Sequence, residues 1–401
     1  MNKRLSFGRI KVKKNLVTSL LAFFCLTSLV ACGGGGKEKQ IKISNAIEQE
    51  SSSKKITLSL YIENSGSMDG YVGAGSSFKD DLHRYISSLS RTADSTSLNY
   101  INSSIIHINK TNSVFFQSLS AASFKAAGGN RGNSELVQMI QSILAKTNKD
   151  CVSVFVSDCI LDPTVGKAND YFRLRQEDLT DLLVKHIKKN PDFAIRVLEL
   201  ESSFDGMLYP SGQKPMQFKG QRPYYIWFMG NKTNLAKLFK EVRDDYMNGA
   251  IKNTVAYSNC PQVPFTIEYK GQKPKNGTIT IPKGKKEFEL SADLSNTLLS
   301  DEYLMNKDNY KKNPLLKIND IKEIKNSGSS YTHSFVIEVH ANADKAQNIT
   351  LTQHFLPDWA NKLNDDKGDD TKKTCGIKYI ITAIKEAFDN TKETTITLEC
   401  K

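Results

Sequence analysis

The stretch Glu63-Asn64-Ser65-Gly66-Ser67 sets a carboxylate and two hydroxyls at every second position. A turn there can aim all three oxygens at one point, and Gly66 lets the backbone bend tightly between the hydroxyls. Hard divalent cations take oxygen ligands, and Mg²⁺ keeps several waters and few protein charges. Neutral hydroxyls leave a bound ion most of its charge and an open position, which a carboxylate from a partner can fill. The plainer alternative is a turn whose serines bond their own backbone.

The element that must hold these oxygens comes just before them. Leu58, Leu60 and Ile62 alternate with Ser59 and Tyr61, which predicts a strand over residues 56–62 with Glu63 at its end. A glycine-rich loop (70–75) and a helix over 78–89 follow, the latter with Leu82, Tyr85, Ile86 and Leu89 on one face. Residues 99–108 and 113–117 read as one or two strands, and the loop 128–134 feeds a helix over 135–145. The continuous apolar run 152–156 reads as a strand buried on both faces and ends in Ser157-Asp158. A helix (176–188), strands at 193–200 and 224–229 and a helix (234–244) complete the alternation. Repeated strand-then-helix units predict an open, mostly parallel sheet covered on both sides. Ligands of such sheets sit outside the carboxyl ends of the strands, where Glu63–Ser67 and Ser157-Asp158 both fall.

These motifs resemble the von Willebrand factor type A domain family. Its first motif, Asp-x-Ser-x-Ser after a buried strand, stands here as Glu63-Asn64-Ser65-Gly66-Ser67-Met68, with Glu in place of Asp. Its second, a Thr in a glycine-rich loop ahead of a helix, is matched in position by Ser134 in Gly132-Asn133-Ser134-Glu135-Leu136. Its third, an Asp ending the next buried strand, is matched by Asp158. Read singly, Ser134 is a natural helix N-cap and Asp158 a loop cap. The resemblance spans residues 55–245 and implies a doubly wound, Rossmann-type α/β domain. It further implies a metal-ion-dependent adhesion site with Glu63, Ser65, Ser67, Ser134 and Asp158 as ligands, directly or through water. Mg²⁺ is the expected ion, with Mn²⁺ or Ca²⁺ as alternatives, and a partner's carboxylate completes the shell.

A metal-assisted hydrolase with Ser65 or Ser67 as nucleophile is the competing chemistry. No His stands near either serine in sequence and G-x-S-x-G is absent, so the reading is a binding protein, not an enzyme. The six histidines show no metal-ligand spacing, and the acidic run Asn364 to Asp370 lacks the order of an EF-hand and reads as a solvated loop.

The first residues read as a processing segment. Lys3, Arg4, Arg9, Lys11, Lys13 and Lys14 precede an apolar run, 16–30, too short for a comfortable membrane span. Leu29-Val30-Ala31-Cys32 followed by four glycines resembles a bacterial lipobox. That resemblance implies a signal peptide over 1–31, lipid on the Cys32 thiol and an anchor in the cell envelope, where each buried CH₂ contributes ~0.8 kcal/mol. Gly33 after Cys32 points to the outer membrane. Residues 32–55 read as a flexible tether. Removing the leader's six charges takes the net charge from +12 to +6, and no dense Lys/Arg block argues for nucleic acid.

The α/β domain is assigned to 56–250. From 258 to 401 the texture turns to short strand-like runs separated by turns, which predicts a smaller β-rich, sandwich-like domain with a helix at 377–388 near its end. Cys151 and Cys159 flank one strand, roughly 25 Å apart, too far to bridge. In an oxidising compartment Cys375 and Cys400 are the best pair.

Overall fold

The computed structural model describes residues 38–44, 55–73, 75–132, 135–161, 168–209, 214–247, 249–326 and 328–401. Residues 1–31, read as a signal peptide, and Cys32 and Ser134 lie outside the described residues. Strand β1 is Lys39–Ile43 and β2 is Thr57–Glu63. A short 3-10 turn, Ser67–Val72, leads to helix α1 (Ser77–Thr92). Then come β3 (Ser95–Ile101), β4 (Ile105–His107), α2 (Asn112–Ser118), α3 (Ala121–Ala127), α4 (Leu136–Leu144) and β5 (Cys151–Ser157). Helix α5 (Ala168–Lys189) precedes two long strands, β6 (Phe193–Leu208) and β7 (Met216–Asn231), and α6 (Lys232–Glu241) precedes β8 (Ile251–Ser258).

These strands form one seven-stranded sheet in the order β4-β3-β2-β5-β7-β6-β8. Only β2/β3 and β2/β5 are parallel; the other four neighbouring pairs are antiparallel. The sheet is therefore mixed, and the expectation of a mostly parallel one is corrected. The reason is the connection from β6 to β7. Leu208 pairs with Met216, so only the residues numbered 209–215 join the two strands, and a parallel return needs a crossover of a dozen or more residues.

Both faces are covered. Leu58, Leu60 and Ile62 of β2 and Val152, Val154 and Val156 of β5 pack with α1, α2, α3 and α6. Tyr61, Phe155, Tyr225 and Trp227 face the opposite way, toward α4 and α5. Residues 113–117, read as a strand, lie in α2. Thr111 caps that helix through the Val114 amide at 3.5 Å, and Phe115 and Phe116 are buried.

The later strands are β9 (Phe265–Glu268), β10 (Thr278–Ile281), β11 (Glu287–Ala292), then α7 (Asp301–Met305), β12 (Leu316–Glu323), β13 (His333–Val339) and β14 (Lys345–Thr350). After them come α8 (Asp358–Lys362), β15 (Asn364–Asp365), β16 (Thr374–Cys375), α9 (Ile377–Phe388) and β17 (Thr395–Cys400). Two four-stranded antiparallel sheets, β10-β1-β17-β14 and β12-β13-β11-β9, share a third apolar cluster around Ile41, Leu290, Phe335 and Leu398.

Two parts of the chain cross the expected boundaries. Residues 39–43, read as tether, form β1 between β10 and β17, because Ile41 supplies an apolar knob to that cluster. Helix α9 packs with α5 on the seven-stranded sheet, so the stripe Ile377, Ile380, Ile381, Ile384 and Phe388 joins the α/β core. Residues 38–401 form one compact unit. This also corrects the disulfide: Cys375 lies in the α/β core, Cys400 in the sandwich core, and they form no bridge. No helix among the described residues is long and apolar enough to cross a membrane.

Candidate functional site

The parallel pairing of β2 and β5 brings their carboxyl ends out side by side, with Ile62 opposite Val156. Glu63 therefore ends beside Ser157, whose hydroxyl donates to Glu63 Oε2 at 2.5 Å and accepts the Cys159 amide at 2.8 Å. Glu63 is buried, and its extra methylene relative to Asp carries its oxygen to Ser157.

Beyond Glu63 the chain turns, and the Ser65 and Ser67 hydroxyls meet at 3.0 Å. Asp158 completes the group from β5. Its side chain is buried; Oδ1 accepts the Ile160 amide at a long 3.5 Å, and Oδ2 has no hydrogen-bond partner among the described residues. Burial pushes its carboxyl above the usual range, while the nearby Ser67 hydroxyl and the Arg222 charge act in the opposite sense. Glu63, Ser65, Ser67 and Asp158 thus gather at one rim.

Sequence reasoning missed the groups that hold this rim. Arg131, from the glycine-rich loop, donates through Nε to the Asn64 carbonyl at 2.7 Å and through Nη2 to the Ser65 carbonyl at 3.2 Å. The same Nη2 meets Asp69 at 2.5 Å, and the Gly66 amide donates back to the Arg131 carbonyl at 3.0 Å. The loop is in turn tied by buried Asn102, whose amide donates to Asn64 Oδ1 and to the Gly128 carbonyl, both at 3.0 Å. Gly129 has φ +79°, and a Cβ there would fall 2.3 Å from Asn102 Oδ1, so the loop closes only with glycine. Asn102→Ala leaves one buried acceptor, Asn64 Oδ1, and one partly buried acceptor, the Gly128 carbonyl, short of a donor. It should lower the unfolding free energy by about 1–2 kcal/mol and speed amide exchange at Gly66; unchanged exchange would show that Asn102 does not brace the turn.

Cys159 sits at φ +54°, an unusual backbone for a residue with a Cβ. Ser157 and the Trp227 indole, which donates to Cys159 Sγ at 3.3 Å, hold it there. Such conformations persist where the surroundings enforce them, and they cluster at functional sites.

A cleft of about 80 Å³ opens beside the rim, lined by Ile160, Leu161, Tyr209, Met216, Arg222 and Thr371 among others. Tyr209 stands over the serine turn, with its hydroxyl 3.5 Å from where a Cβ on Gly66 would be. The acidic loop read as merely solvated forms part of this wall. Asp365 is buried and fixes the loop by accepting the Lys367 and Asp370 amides at 2.9 and 2.8 Å.

Among the described residues no three His, Cys, Asp or Glu side chains stand together as metal ligands. The oxygens gathered here include two serine hydroxyls in contact with one another. An orphaned buried carboxylate oxygen facing neutral hydroxyls suits a hard cation or a hydrogen-bond donor from outside, and this donor set fits Mg²⁺ by chemistry. Comparison of the chain with family models, curated proteins and solved structures finds no match.

Proposed function

We propose that this chain is a lipid-anchored envelope protein that binds a partner through a divalent cation held at the rim of its α/β sheet. In this reading the α/β part is a von Willebrand factor type A-like domain. Ser65, Ser67 and Asp158 contact the ion, Mg²⁺ first, with Mn²⁺ or Ca²⁺ as alternatives, and Ser134 adds a further oxygen. Glu63, tied to Ser157, acts from outside that inner set. The ion supplies a positive charge with an open position, and a carboxylate on a protein or envelope partner fills it. Cys32 carries the lipid, at the outer membrane by preference, and nucleic acid is no partner. The role is binding without catalysis.

The observation that carries the reading is Asp158 Oδ2, a buried carboxylate oxygen with no hydrogen-bond partner among the described residues, beside the Ser67 turn. Calorimetric titration with MgCl₂ or MnCl₂ tests it. Wild type should give saturable heat and Asp158→Ala none; equal traces for the two proteins would remove the cation from the account.

One contact favours a second reading, a cation-free interaction surface. Glu63, the first acid of the motif, is engaged by Ser157 at 2.5 Å. Under that reading, partner capture from membranes proceeds equally with and without EDTA; under the first, EDTA abolishes it.

A further inference from the structure

One charged group at this rim belongs to none of the sequence motifs. Arg222, on β7, is 6% exposed. Its Nη1 donates to the Thr371 carbonyl at 3.3 Å, its guanidinium lies 5.4 Å over the Phe204 ring, and its Nε has no hydrogen-bond partner among the described residues. It shares the cleft wall with Ile160 and Leu161, which follow Asp158 and Cys159 in the chain. Tyr71, whose hydroxyl donates to the Pro223 carbonyl at 2.5 Å, is fully buried within electrostatic reach of both Arg222 and Asp158.

A buried charge needs compensation. Asp158 makes no direct ion pair among the described residues; its Oδ1 accepts the Ile160 amide, and Ile160 shares the cleft wall with Arg222, whose charge acts on the carboxylate across that short span. Arginine stays protonated in any surroundings a protein offers, so this charge does not leave when an ion arrives. We propose that Arg222 is the resident counter-charge of Asp158 and that it holds down the affinity of the rim for a divalent cation. The inference rests on the cation reading above and adds what regulates that site. Without the ion, Arg222 offsets the buried carboxylate and keeps the rim folded. With the ion, a guanidinium and a divalent charge share one poorly solvated pocket and repel, because Coulomb terms are least screened there. Loading and unloading are thereby brought closer to balance than a cluster of bare oxygens would allow.

The test is calorimetric titration of MnCl₂ into wild type, Arg222→Gln, Arg222→Lys and the double variant Arg222→Gln/Asp158→Asn. Arg222→Gln should bind Mn²⁺ at least about tenfold more tightly than wild type. Arg222→Lys, which keeps the charge, should bind like wild type, and the double variant should give no saturable heat. Arg222→Met keeps an unbranched stem against Phe204 and carries the same expectation as the Gln variant should that protein not fold. Wild-type affinity equal to or higher than that of Arg222→Gln overturns the counter-charge and leaves the cation reading standing. Silence in both wild type and Arg222→Gln overturns the two together. Silence in wild type with saturable heat in Arg222→Gln, lost in the double variant, supports the counter-charge.

Discussion

Gly70→Ala is expected to lower the unfolding free energy by about 3 kcal/mol, although it adds a single methyl group. Gly70 lies in the 3-10 turn that follows the serines. A Cβ there would sit 2.3 Å from Phe204 Cζ and 2.4 Å from Cε2, well inside contact distance. The ring tip of a flexible side chain could usually swing away, but Phe204 is fully buried. Tyr71 packs edge-on against it at 5.0 Å, Phe218 lies at 6.2 Å, and the Arg222 guanidinium covers it at 5.4 Å. The backbone cannot retreat either, because a Cβ on Gly206 would already lie 2.7 Å from Gly70 Cα. The strain therefore passes to the serine turn on one side and to Arg222 on the other. Gly73→Ala is the matched control: its Cβ meets nothing closer than 3.8 Å. Urea unfolding should show a clear drop in midpoint for Gly70→Ala at constant slope, and almost none for Gly73→Ala. Similar midpoints for the two variants would mean that the β6–β7 ribbon yields and does not brace the turn.

That contact also shows what could and could not be read from the sequence. Strands with a one-to-one alternation or an unbroken apolar run, such as β2 and β5, were legible, and so was α9 from its stripe of isoleucines. The polar ends of β6 and β7 were not. Ser202, Ser203, Asp205, Lys219 and Gln221 resemble a loop in composition, yet they pair residue for residue across the ribbon. Pairing of that kind is satisfied by backbone groups and leaves no apolar signal. Sheet order was illegible for a related reason: strand direction depends on whether a connection crosses over, and residues 201–223 carry no periodicity that says which it is. β1 was too short, with a single buried Ile41, to stand out from tether-like neighbours.

At the rim, Glu63, Ser65, Ser67 and Asp158 were legible because local spacing and strand ends carry that information. Arg131, Asn102, Tyr209 and Arg222 were not, since each acts from a distant point in the chain through long-range contacts. A basic residue inside a glycine-rich loop was the one available hint, at Arg131. Arg222, flanked by Gln221 and Pro223, offered none.

The second large effect concerns acid, and it arises away from the rim, at Glu199. This residue lies on β6 at the bulge where β6 and β8 shift register, opposite Tyr225 of β7. It is 1% exposed, and Asn253 Nδ2 donates to its Oε2 at 2.8 Å. Burial pushes its carboxyl up to about 7; Asn253 pulls it down, Glu201 adds to the rise, and Lys252 opposes it. In the unfolded chain the same group titrates near 4.5. Between those values the folded state holds a proton that the unfolded state has lost, so stability falls as pH rises across the window and levels off above it. At roughly 1.4 kcal/mol per pH unit, the loss across the window comes to about 3.5 kcal/mol. His186, His333 and His354, each held below the ordinary imidazole value by burial, work in the opposite direction as pH falls. The wild-type curve alone mixes these contributions, so the informative quantity is the difference between wild type and Glu199→Gln, which keeps a partner for Asn253 and removes the titration. Denaturant unfolding at pH 5, 6, 7 and 8 should show the Gln variant gaining on wild type up to about pH 7 and holding that advantage beyond it. A constant difference across the series would mean that Glu199 is ionised in the folded state throughout, with its charge solvated through the edge strand β8.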